Sequence, residues 1–72
     1  MKVKLVVKRY YKPIELEFDS VVEAIDSALA QCDSDVSYPD HIEVDGVRVW
    51  SQPGPFRLDE SLAELRRRYE GA

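Results

Sequence analysis

The chain opens with apolar and basic residues in alternation: Val3, Leu5 and Val7 are interleaved with Lys2, Lys4 and Lys8. A repeat of two puts successive side chains on opposite faces of a strand, so residues 2–10 read as a half-buried β-strand. Ile14, Leu16 and Phe18 alternate with Glu15 and Glu17 in the same manner. Pro13 has no amide hydrogen to give to a ladder and suits the start of this second strand. The two strands form an antiparallel hairpin around Arg9–Pro13, in a register that sets either Lys4 against Glu17 or Lys8 against Glu15.

The period then changes. Val21, Val22, Ile25, Ala28, Leu29 and Cys32 recur at helical spacing, and Ser20 followed by Glu23 is a capping box that marks the helix start. Cys32 falls on the apolar stripe and reads as a small buried hydrophobe. Residues 33–40 read as a loop. Ile42-Glu43-Val44 and Val47-Arg48-Val49-Trp50 flank Asp45-Gly46, the pair favoured by a two-residue type I′ turn. Counting outward from that turn sets Val44 against Val47, Glu43 against Arg48, Ile42 against Val49 and His41 against Trp50. Pro53-Gly54-Pro55 is turn chemistry. Asp59 is placed to cap a last helix with a stripe of Leu58, Leu62, Leu65 and Tyr69. Acids open this helix and Arg66, Arg67 and Arg68 close it, as the helix dipole favours.

The predicted order is ββαββα, a single α+β domain over residues 1–72. It is expected as a two-layer sandwich with both helices on one face of a four-stranded, mainly antiparallel sheet. Charge selects among strand orders. A meander sets Glu15 and Glu17 beside Glu43, and the order 2-1-4-3 sets the Lys strand beside Arg48. The order 2-1-3-4 places the Lys strand between two Glu-bearing strands, and opposite charges across a ladder stabilise it. This is the expected topology.

Composition narrows the class. The chain has 72 residues, 44% apolar and 33% charged, with no run approaching the ~18 apolar residues of a membrane span. A disordered tail and a collagen-like chain are excluded on the same ground. A chain this short buries only about 60% of its unfolded surface and holds ~3–5 kcal/mol of net stability, so packing must be efficient or copies must associate. The start of the chain does not look like a signal peptide, and the single Cys32 suits a reducing compartment, so a cytoplasmic location is expected. The net charge of −4 is laid out in blocks: five bases and no acid in residues 1–12, ten acids and no base in 13–45, and five Arg with four acids thereafter.

Chemistry-bearing motifs are scarce. Asp33, Asp35 and Ser37 begin like a calcium loop, but Tyr38 stands where that loop needs Gly and Val44 where it needs Glu. Cys32, Asp40 and His41 have no metal-site spacing, and no phosphate-binding Gly loop or nucleophile signature is present. No catalytic residue, metal or cofactor is expected. The expected activity is protein–protein binding. In the 2-1-3-4 order Tyr10, His41 and Trp50 share one sheet edge on the helix-free face, where the loop with Pro53, Pro55 and Phe56 begins. These six residues are the expected partner-binding surface, since Trp and Tyr dominate interface hot spots. In the other reading Trp50 folds over the edge of the sheet and covers part of the core. A homodimer through the fourth strand is a further expectation, because Val47-Arg48-Val49-Trp50 carries one charge and no Pro. Nucleic-acid binding through the open sheet face is the alternative, opposed by the acidic balance.

Two stretches, Phe18-Asp19-Ser20-Val21-Val22-Glu23-Ala24-Ile25 and Tyr38-Pro39-Asp40-His41-Ile42 leading into Val44-Asp45-Gly46-Val47-Arg48-Val49-Trp50, resemble small uncharacterised proteins of actinobacteria and their bacteriophages. The resemblance covers about half of the chain and lies in structural motifs. It implies a bacterial or viral accessory protein, in the cytoplasm of a bacterium or of a phage's host, and brings no catalytic residues.

Overall fold

A computed structural model describes residues 1–31, 37–52 and 57–70. Four strands and two helices follow in the order β1 (Val3–Arg9), β2 (Lys12–Phe18), α1 (Val21–Gln31), β3 (Ser37–Val44), β4 (Val47–Ser51) and α2 (Leu58–Glu70). The sheet order is β2-β1-β3-β4, antiparallel at every junction. The charge columns that select this order are present in the register. Lys4 stands opposite Glu17 on one side and Glu43 on the other, with Arg48 beyond Glu43.

The helices cover one face. Val3, Leu5 and Val7 of β1 and Ile42 of β3 are buried beneath Ala24, Ile25 and Ala28 of α1 and Leu62 and Leu65 of α2. At the start of α1 the Glu23 amide donates to Ser20 Oγ at 3.2 Å, half of the expected capping box. The Asp45-Gly46 turn has φ of 51° and 85°, the positive pair that the I′ geometry requires. It is tied to β1 in both directions, since the Lys2 amide donates to Asp45 Oδ1 at 2.9 Å and the Asp45 amide to the Lys2 carbonyl at 2.8 Å.

Three local expectations are overturned. Residues 37–40 are strand and not loop. Pro39 is tolerated there because the β3–β4 ladder ends at His41 against Ser51, with one further bond from the Gln52 amide to the Asp40 carbonyl at 2.9 Å, so no ladder partner in β4 calls on the amide that Pro39 lacks. A register shift between Val6 and Val7 sets Pro39 against Val7, inside the core. Asp59 is the second residue of α2, not its cap, and contributes through the first-turn dipole interaction instead. The α2 stripe is buried at Leu58, Leu62 and Leu65 but fades at Tyr69, which is exposed.

The fourth difference is the largest. The β3–β4 register follows the turn for two pairs, Val44 with Val47 and Glu43 with Arg48, then shifts. Val49 becomes the extra residue of a bulge, and Trp50 stands against Ile42 where Val49 was expected. One residue of slip moves a side chain to the other face. Trp50 therefore enters the core and is 7% exposed. Burying an indole removes about 150–250 Å² from water, worth roughly 4–6 kcal/mol as an upper estimate, more than a local break in one edge ladder costs. Bulges also add twist to an edge, which opposes strand-to-strand association. The homodimer expected through β4 would have to form on that twisted edge.

Gly46 has open space around its missing Cβ, so only its backbone conformation restricts the position. Gly46→Ala is expected to cost about 1–2 kcal/mol, read as a lower denaturant midpoint with an unchanged slope; an unchanged midpoint contradicts the turn geometry.

Candidate functional site

Two residues of the expected surface, His41 and Trp50, fall on opposite faces of the sheet. The register shift puts Trp50 on the helix-covered face and leaves His41, now opposite Ser51, on the helix-free face. Trp50 Nε1–H donates to Ser61 Oγ at 2.8 Å, and Ser61 Oγ–H donates in turn to the Leu58 carbonyl at 2.9 Å. The indole is a bolt between β4 and the first turn of α2. Its ring fills the core and its polar atom is satisfied, which is the usual requirement for a buried Trp. Pro53, Pro55 and Phe56 lie outside the described residues, as do Cys32, Asp33 and Asp35.

His41 belongs to a charge lattice. Its Nδ1 lies 2.7 Å from Asp40 Oδ2 and its Nε2 lies 3.7 Å from Glu43 Oε1. Ser51 stands opposite in the ladder, but the His41 ring meets Asp40 and Glu43 and not the Ser51 hydroxyl. The Nε2 that would activate a hydroxyl faces a carboxylate instead, so the geometry lacks the nucleophile–base contact of acyl-transfer sites. On the same face Lys4 Nζ lies 3.6 Å from Glu15 Oε2, and Lys2 Nζ lies 3.5 Å from Glu17 Oε1. Val6, opposite both Glu15 and His41, is buried in the middle of these side chains. The helix-free face is thus a mosaic of opposed charges around a small apolar centre, with carboxylates of Glu15, Glu17 and Glu43 spread across it. Among the described residues no group of three or more His, Cys, Asp and Glu is arranged to hold a metal ion, and no helix is long and apolar enough to cross a membrane.

Of the expected contact residues that are described, Tyr10, His41 and Trp50, it is Tyr10 that is largely exposed. With Lys4 against Glu17, the β1–β2 ladder closes at Arg9 against Lys12 and leaves Tyr10 and Tyr11 as a two-residue turn. Both have positive φ, 51° and 67°. This is the backbone of the Asp45-Gly46 turn built from two bulky side chains. A non-glycine residue held there costs of order 1–3 kcal/mol. The closing pair adds like charges directly opposed, which destabilises further. Neither ring recovers this by packing: Tyr10 is 67% exposed and Tyr11 90%. Tyr11 is missing from the surface expected from sequence. The signal that finds it is the Lys4–Glu17 register taken alone, which leaves those two residues between the strands.

Comparison with known proteins adds nothing to this geometry: no family model, no curated protein and no solved structure matches the chain.

Trp50→Ala is expected to remove about 3–5 kcal/mol, as much as a domain of this size holds, and to unfold it. Tryptophan emission of the native protein should be blue-shifted and resistant to aqueous quenchers; red-shifted, quenchable emission would show that the indole is not beneath α2.

Proposed function

We propose that this chain is a small non-enzymatic accessory protein that acts by binding another protein in the cytoplasm of a bacterium, either as a cellular component or as a phage product in its host. The observation that carries the reading is the Tyr10–Tyr11 turn. Two aromatic side chains are held out in water on a backbone that resists them, in a domain with little stability to spare. Local rules broken without a structural return mark functional positions. Exposed tyrosines supply large, fairly rigid contact area, the usual material of a protein-interface hot spot. His41 and Trp50 take no part in this surface, being engaged in the charge lattice and the core.

Nucleic-acid binding across the helix-free face has weaker support. That face carries Glu15, Glu17 and Glu43 among its lysines, and these carboxylates repel phosphate.

The test is affinity capture from a bacterial lysate with nuclease treatment, comparing the wild type with Tyr10→Ala/Tyr11→Ala. A specific protein that survives nuclease and is lost with the double variant is expected. Retention of nucleic acid alone, or capture indifferent to the variant, contradicts the reading.

A further inference from the structure

The partner's chemistry follows from what surrounds the turn. Lys8, Arg9 and Lys12 flank Tyr10 and Tyr11 in sequence, and among the described residues none of the three forms an ion pair. The bases further along β1 behave differently, since Lys2 and Lys4 each meet a glutamate. The alternation of the strands distributes the three cations around the tip. Arg9 and Lys12 share the side of Val7 and Ile14, and Lys8 lies on the opposite side, against Tyr38. The other exposed, unpaired cations on one segment, Arg67 and Arg68, sit in the last turn of α2, where the helix dipole accounts for them. Arg9 and Lys12 are instead set directly against each other at the end of a ladder, where like charges destabilise.

The carboxylates at the far end of the sheet do not cancel this patch. β1 is seven residues long, so at ~3.3 Å per residue its ends lie about 20 Å apart. That is more than twice the Debye length of about 8 Å at physiological salt, so the carboxylates at the far end of the sheet are screened from the tip.

We infer that the Tyr10–Tyr11 turn is a plug for an acidic cleft on the partner protein, its rings entering the cleft and Lys8, Arg9 and Lys12 meeting carboxylates at the rim. The inference rests on the protein-binding reading above and specifies its partner. A narrow protruding turn is convex and fits a concavity. It offers no groove to track a phosphate backbone, and β2 turns acidic at Glu15 and Glu17 only a few residues beyond the tip. The local strain belongs to the same design. An Asn-Gly pair would close this hairpin with less strain but would present no rings.

Two variants of the whole chain test this, with a glutamate-rich peptide as the probe and amide chemical shifts of the labelled protein as the readout. Shifts are expected at residues 8–12, fading as salt rises. Tyr10→Asn/Tyr11→Gly, which keeps the cations, should raise the melting temperature by roughly 5–15 °C while weakening the peptide about tenfold. Lys8→Gln/Arg9→Gln/Lys12→Gln should stay folded and lose the shifts. The inference is overturned by shifts centred on Arg66–Arg68, by no shifts, or by a melting temperature that does not rise. It is also overturned if oligothymidine, or vesicles of equal parts phosphatidylglycerol and phosphatidylcholine, bind the tip more tightly than the peptide does. If the peptide arm fails while lysate capture still depends on Tyr10 and Tyr11, the acidic cleft is lost and the protein-binding reading stands.

Discussion

The contact on which the architecture depends is Trp50 beneath α2. A domain of this size has one layer of side chains between sheet and helices, and α2 lies alongside α1 at its margin. The indole fills the space between β4 and α2, and its hydrogen bond to Ser61 sets the position of the helix start. Everything at that end of the sheet is arranged around this placement. The bulge at Val49 exists so that Trp50 points inward, and the bulge in turn separates Trp50 from His41. Stability and an exposed aromatic cluster made the same demand on one side chain, and the core had the larger energy at stake.

Charge organises the helix-free face as strictly as apolar packing organises the other. Lys4 between Glu15, Glu17 and Glu43, and His41 between Asp40 and Glu43, leave each of these cationic or basic side chains facing an acid. Single exposed pairs of this kind contribute little. Their combined effect is on choice, because the meander and the order 2-1-4-3 both bring like charges together. The same mosaic spreads carboxylates that repel phosphate across the open face, and among the described residues Lys8, Arg9 and Lys12 are the bases of the first hairpin that form no ion pair.

The two hairpins present a controlled contrast within one chain. Each closes through two residues of positive φ, but one uses Asp45-Gly46 and the other Tyr10-Tyr11. At the first, sequence and backbone agree, and the turn is stitched to Lys2 by paired hydrogen bonds. At the second they conflict, and long-range pairing of β1 with β2 imposes a turn that its residues would not choose. A fold in which local and global preferences agree nearly everywhere makes the exception informative.

Much of the fold was legible in the sequence because its signals are local or pairwise. Periodicity identified four strands and two helices, Ser20 and Asp45-Gly46 marked their boundaries, and the blocks of Lys and Glu selected the strand order. What only the tertiary structure decided are the one-residue events: the slip that buries Trp50, the shift that lets Pro39 enter β3, and the closure of the first hairpin on Tyr10 and Tyr11. Each turns on the volume of the whole core or on where the ladder with a neighbouring strand ends, and neither quantity is written in any one segment. The candidate site was half legible for the same reason. Tyr10 stood out as an aromatic at a strand end, whereas Tyr11 became its partner only once the ladder had fixed where the turn must fall.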